Sequence, residues 1–170
     1  SYSLIAISGI IIQAINPIIS PIFSSLYSKK EKDRLQKIVK ISAQINFLFT
    51  LVICILFVIF GKLLLRMFFD QDLISAYPIL LILLVGQIIN SYYGPVAVLL
   101  NMTGHEKDTK KAVSLSTLLD LILLVLVTPV FGIKGVAIST IIGSISSQIL
   151  MHKYVKKRIN IESIAYRILK

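Results

Sequence analysis

The stretch AVSLSTLLDLILLVLVTPV, residues 112–130, carries a single charged side chain, Asp120, in nineteen positions. A helix rises about 1.5 Å per residue and needs about 20 largely apolar residues to cross the hydrocarbon core of a bilayer. This stretch has the length and the composition to do so. Four others qualify by the same measure: residues 2–27, 41–60, 74–102 and 136–155. The expected fold is therefore all-α, a polytopic transmembrane bundle of five spanning helices over residues 1–155, followed by a basic amphipathic tail over 156–170. The 74–102 segment is long enough to tilt or bend, and Pro78, Gly94 and Pro95 supply the places.

Composition supports an integral membrane protein. Of the 170 residues, 56% are hydrophobic and 15% are charged, and the mean hydropathy is +0.86, well above that of a soluble domain. The chain begins at Ser1, inside an apolar segment and without a charged leader, and so reads as part of something longer. The single cysteine, Cys54, lies within an apolar run and is expected to pack there. The net charge of +10 does not indicate nucleic acid, because apolar stretches of membrane length separate the Lys and Arg residues and no continuous basic face results.

The basic residues set an orientation. Tracts 28–40, 104–111 and 152–170 hold fifteen Lys and Arg, whereas the alternate connections hold Lys62, Arg66 and Lys134. The bias alternates strictly with the five spans, which places 28–40, 104–111 and the carboxyl terminus in the cytoplasm. KEKDRLQKIVK from Lys30 reads as a short surface helix leading into the second span, GKLLLRMFFDQD from Gly61 as an interfacial turn of helix on the outer side, and KYVKKRINIESIAYRILK from Lys153 as a basic amphipathic helix on anionic membrane lipid.

Polar side chains inside the spans carry the functional information, because each needs a partner in hydrocarbon. A central Asp costs about 2.5–3.5 kcal/mol on insertion scales, so Asp120 is expected to face the bundle interior or a watery cavity. Two readings stay open for it, a proton or cation site and a hydrogen bond to a neighbouring helix. Gln13 and Asn16 in the first span share a face, as do Gln87 and Asn90 in the third, and these faces are candidates to line a polar cavity. Each is equally suited to an interhelical hydrogen bond. Gly135, Ser139, Gly143 and Ser147 recur every four residues, a small-residue stripe that lets another helix approach closely.

No catalytic constellation, metal-ligand spacing or phosphate-binding glycine loop is present, so neither enzyme activity nor a metal or other cofactor is expected. The two histidines, His105 and His152, both fall at membrane edges. Asn101-Met102-Thr103 fits a glycosylation acceptor, but it ends the third span on the cytoplasmic side; with Gly104 it reads as a helix exit.

Four stretches carry a family resemblance. LLNMTGHEK (Leu99–Lys107) resembles the helix-ending turn of polysaccharide flippases, and TPVFGIKGVAIST (Thr128–Thr140) resembles the turn between two of their late helices. SPIFSSLYSKKEKDRLQKIVK (Ser20–Lys40), and GKLLLRMFF with AYPILLILLVGQII, are similar to neighbouring parts in the same order. The resemblance is to the multidrug/oligosaccharidyl-lipid/polysaccharide exporter superfamily and, within it, to Wzx-type flippases of O-antigen, teichuronic or capsular repeat units. It implies about twelve spanning helices in two lobes that alternate access, with this chain supplying most of the carboxyl-terminal lobe of a MATE-like fold. The amino-terminal lobe would be its first partner and a polyprenyl-(pyro)phosphate-linked oligosaccharide its cargo. The rival readings are a MATE-type drug or cation antiporter and a non-transporting membrane scaffold for polysaccharide assembly.

Overall fold

The computed structural model describes residues 17–68 and 77–165, and every regular element among them is helical. A helix over 17–28 (α1) is followed by α2 (Lys32–Phe68), α3 (Tyr77–Tyr92), α4 (Val96–Met102), α5 (Glu106–Phe131) and α6 (Ile133–Arg158). Three helices, α2, α5 and α6, are long and apolar enough to cross a membrane, and α3 with α4 makes a fourth crossing if the bent pair counts as one. The described residues thus hold three or four of the five expected spans. The expected first span falls largely on residues 1–16, outside the described residues.

Local chemistry explains most boundaries. α1 ends in a Schellman motif: Lys30 lies at φ 59, Lys30 N–H donates to the Tyr27 carbonyl and Glu31 N–H to the Leu26 carbonyl. The exit at Asn101–His105 repeats the design with a glycine. Gly104 has φ 79, His105 N–H donates to the Leu100 carbonyl at 2.8 Å, and the Thr103 hydroxyl caps Leu99 at 2.8 Å. The anticipated bend of the third span falls at Gly94 and Pro95, where α3 and α4 meet at 41°. Gly94 takes φ 69 and Pro95 precedes the first residue of α4. Between α5 and α6 the whole turn is Gly132, at φ 56, so the two helices form a tight antiparallel hairpin.

Two expectations need correction. The surface helix at Lys30–Lys40 and the outer interfacial helix from Gly61 are not separate elements: α2 runs unbroken for 37 residues from Lys32 to Phe68. No proline interrupts it, and its one glycine, Gly61, is held against the Tyr77 ring, whose hydroxyl donates to the Val58 carbonyl at 2.8 Å. The charged turns at Lys32–Lys40 are the part of a helix too long for a hydrocarbon core of roughly 30 Å. The tail, likewise, does not form an amphipathic surface helix over its described part. α6 stops at Arg158, Asn160 turns the chain at φ 56, and residues 159–165 run back across the bundle as an irregular strap.

The strap is anchored from both sides. Ile159 and Ile161 are buried in the main apolar cluster beside Phe23, Leu35, Val39, Leu99 and Val155. Gln36 of α2 pairs with the Glu162 backbone twice, donating to its carbonyl and accepting its N–H at 2.8 Å. Ala165 N–H donates to the Tyr92 carbonyl at 3.1 Å, which satisfies an acceptor at the end of α3. A second, smaller cluster of Cys54, Phe57, Leu80 and Leu84 joins α2 to α3 further along.

Candidate functional site

A cavity of about 240 Å³ opens beside the break between α3 and α4. Its walls come from α1 (Ile19), α2 (Ser42, Asn46), α3 (Gln87, Asn90, Ser91), the break itself (Gly94, Pro95), α4 (Ala97, Val98) and α6 (Gln148). Four carboxamides therefore converge from three helices, and none of these lining residues is ionisable. A carboxamide both donates and accepts, so such a wall suits an uncharged partner with several hydroxyl or amide groups.

Asn90 Nδ2 donates to the Ser144 hydroxyl at 3.3 Å, and that hydroxyl donates in turn to the Ile141 carbonyl at 3.0 Å. The chain of donors sets which end of the Asn90 amide is oxygen. Asn90 Oδ1 and Gln148 Oε1 are buried with no hydrogen-bond partner. Both side chains line the cavity, but these two oxygens are almost closed to water, so a donor in the cavity reaches them only when the carboxamides turn toward it.

The sequence candidates separate in space. Gln87 and Asn90 both line the cavity. Gln13 and Asn16 lie outside the described residues. Asp120 is not among the lining residues: it belongs to the seam between α5 and α6, where a Cβ built on Gly143 would meet Asp120 Cβ at 2.7 Å. Asp120 Oδ1 is buried there without a partner, as is the hydroxyl of Ser116 one turn away. Asn46 and Gln148 complete the cavity but were not singled out in the sequence. The available signal was weaker than the one that marked Gln87 and Asn90: each is a carboxamide in a membrane-length segment, Asn46 two residues after Gln44 and Gln148 after Ser146-Ser147, with no second carboxamide three residues away.

The small-residue stripe lies along that seam. A Cβ on Gly135 would come within 2.8 Å of the Val127 carbonyl oxygen, so α5 and α6 approach to backbone contact at both glycines. Ser139 is fully buried and donates to the Val136 carbonyl at 2.9 Å, while Ser147 donates to the Ser144 carbonyl at 2.8 Å. Each serine thereby satisfies its hydroxyl within its own helix and leaves the neighbour room.

The described parts of the three basic tracts converge on one end of the bundle. Arg158 Nε donates to Asp108 Oδ2 at 2.9 Å, linking the end of α6 to the start of α5, and the Asp108 side chain is only 8% exposed. Tyr27 meets His105 edge-on with ring centroids 6.3 Å apart, which joins the end of α1 to the exit of α4. His152 is not a lone edge histidine: its Nδ1 lies 2.9 Å from the Ser163 hydroxyl of the strap and its ring 5.8 Å from that of Tyr93.

Comparison with known proteins adds one finding. A family model described as MatE matches residues 1–126. No curated protein and no solved structure matches the chain.

Proposed function

The chain belongs to the MatE family, which makes it part of a multi-pass membrane transporter, and from that premise we propose that the carboxamide cavity receives the sugar headgroup of a polyprenyl-(pyro)phosphate-linked oligosaccharide during its passage across the plasma membrane. The observation that carries this reading is the pair of unpartnered acceptors, Asn90 Oδ1 and Gln148 Oε1, at a cavity lined by no ionisable side chain. Once those carboxamides turn into the cavity, a sugar presents hydroxyl donors to both, and hydrogen bonds formed there replace those the hydroxyls lose on leaving water. A cation would find no carboxylate on these walls.

The task for such a transporter is to move a hydrated headgroup through an apolar slab while the lipid tail stays in the bilayer. That calls for a polar interior, an opening between lobes and two alternating conformations. The reading assigns the interior to Asn46, Gln87, Asn90 and Gln148, the second lobe to the amino-terminal part of the same protein, and the basic end of the bundle to the cytoplasm, where Lys and Arg attract the pyrophosphate. No bond-making step falls to the protein. The rival cation antiporter is favoured by one observation, the buried unpartnered oxygen of Asp120.

Reconstituted full-length protein decides between them. Vesicles loaded with a fluorescent polyprenyl-pyrophosphate-linked sugar should show label transfer between leaflets, and the pair Asn90→Leu and Gln148→Leu should reduce it at least ten-fold, about 1.4 kcal/mol, while protein yield and melting hold. Proton- or sodium-driven efflux of a cationic dye with no transfer of the sugar lipid would overturn the proposal.

A further inference from the structure

On the outer surface of the hairpin, α5 and α6 enclose a groove of about 430 Å³ whose exposed lining is almost wholly carbon. Leu115, Leu118, Leu119 and Ile122 form one bank, Ile149 and Leu150 the other. The two serines in its lining are turned to other ends: Ser146 donates to the Ile142 carbonyl at 2.7 Å and Ser116 is buried beneath the groove. For scale, an apolar cavity of about 150 Å³ accommodates a benzene molecule. At about three times that volume and open along its side, this groove has room for a stretch of acyl chain.

One end of the groove is basic. Lys111 lies one helical turn before Leu115 on α5, and Lys153 one turn after Ile149 on α6, so each lysine continues its own bank. Both are exposed. The nearby carboxylates are already engaged, Glu106 with Lys110 at 3.8 Å and Asp108 with Arg158 at 2.9 Å. Neither Lys111 nor Lys153 takes part in an ion pair among the described residues. Two ammonium groups on flexible stems, unpaired among the described residues, thus stand at one end of the groove.

We infer that this groove binds an anionic phospholipid of the bilayer, its acyl chain laid between α5 and α6 and its phosphate held by Lys111 and Lys153. The apolar banks account for the chain and the two uncommitted cations for the charge of the head. An acyl chain alone would enter any such groove in a membrane; the preference for a negative headgroup is what the lysines add.

The test is native mass spectrometry of the purified full-length protein with phosphatidylglycerol and phosphatidylcholine of identical acyl chains. Retention of phosphatidylglycerol should exceed that of phosphatidylcholine by about five-fold for each lysine in contact. The double variant Lys111→Gln, Lys153→Gln should abolish the preference without changing the melting temperature, and Leu119→Trp, which fills the groove, should reduce retention of both lipids. Equal retention of the two lipids by the unaltered protein, or a preference that survives the double variant, overturns the proposal. So does displacement of phosphatidylglycerol by equimolar polyprenyl phosphate, which would assign the groove to a cargo lipid, or cross-linking from Leu119→Cys to a protein helix.

Discussion

Gly94→Ala is expected to destabilise the bundle well beyond Gly104→Ala, although both glycines sit in the left-handed region, at φ 69 and φ 79. The backbone term is shared: an L-residue there costs roughly 1–2 kcal/mol. The surroundings differ. A Cβ on Gly104 meets nothing within 4 Å, whereas one on Gly94 would lie 2.6 Å from Ala43 Cβ and 3.0 Å from the Ser163 carbonyl oxygen. Ala43 belongs to the continuous helix α2 and Ser163 to the strap that Gln36 and His152 hold, so neither side can retreat cheaply. Overpacking of this kind costs about 1–3 kcal/mol, which brings Gly94→Ala to about 2–5 kcal/mol against about 1–2 for Gly104→Ala. Cys54, the single cysteine and buried, is a built-in reporter: a maleimide dye reacts with it only as the bundle opens. At about 2–4 °C per kcal/mol, the midpoint for Gly94→Ala should fall several degrees below that for Gly104→Ala. Equal midpoints would refute the reasoning, since they would mean that α2 and the strap do not close on the break between α3 and α4.

Three other perturbations follow from the contacts described. Gln36→Ala removes both hydrogen bonds to the Glu162 backbone, together about 1–3 kcal/mol, and should raise amide exchange at Glu162 and Ala165 while α5 is unaffected. Arg158→Ala leaves the nearly buried Asp108 carboxylate unpaired and is expected to cost about 1–3 kcal/mol, tempered by the half-exposed guanidinium; Lys110→Ala, from the exposed pair with Glu106, should cost under about 0.5 kcal/mol, and comparison of the two melting shifts checks the difference. Asp120→Asn retains the volume that Gly143 accommodates but removes the ionisable group. Unchanged transport in that variant would leave Asp120 a packing residue, and a loss of transport with normal melting would make it a coupling group.

Much of the molecule was legible in the sequence because a bilayer permits few solutions. Backbone amides in hydrocarbon must bond within their own segment, so a long apolar run with few charges is a helix whatever surrounds it. The middles of α5 and α6 were therefore readable, 112–130 of a helix that begins at Glu106 and 136–155 of one that runs from Ile133 to Arg158. Gly104 and the Gly94-Pro95 pair marked an exit and a bend for equally local reasons, whereas the turn at Gly132 was legible through the family resemblance of Thr128–Thr140. The fate of the polar residues was less legible. Their composition says that each needs company, but the company depends on which helix faces meet. Asp120 and Asn90 read alike as intramembrane polar side chains, yet one abuts Gly143 in a tight seam and the other lines a cavity with Asn46 and Gln148.

The strap shows the same division most sharply. INIES, from Ile159, is a short apolar-polar alternation that a basic neighbourhood disguised as part of an amphipathic helix, and in the structure Ile159, Ile161 and Ser163 are buried in alternation. A period of two over five residues is too short to outweigh the helix-forming lysines before it. Only the gap between α2, α6 and the broken α3–α4 span, which exists once those helices have packed, offers both an apolar slot for the isoleucines and hydrogen-bond partners for the strap's backbone, the Gln36 carboxamide and the Tyr92 carbonyl. The sequence by itself determined which apolar runs are helices of membrane length, the bend at Gly94-Pro95, the exit at Gly104 and which end is basic, because those follow from each segment's own contact with lipid or water. Tertiary structure decided the cavity, the seam and the strap, because those follow from contacts between segments far apart in the chain.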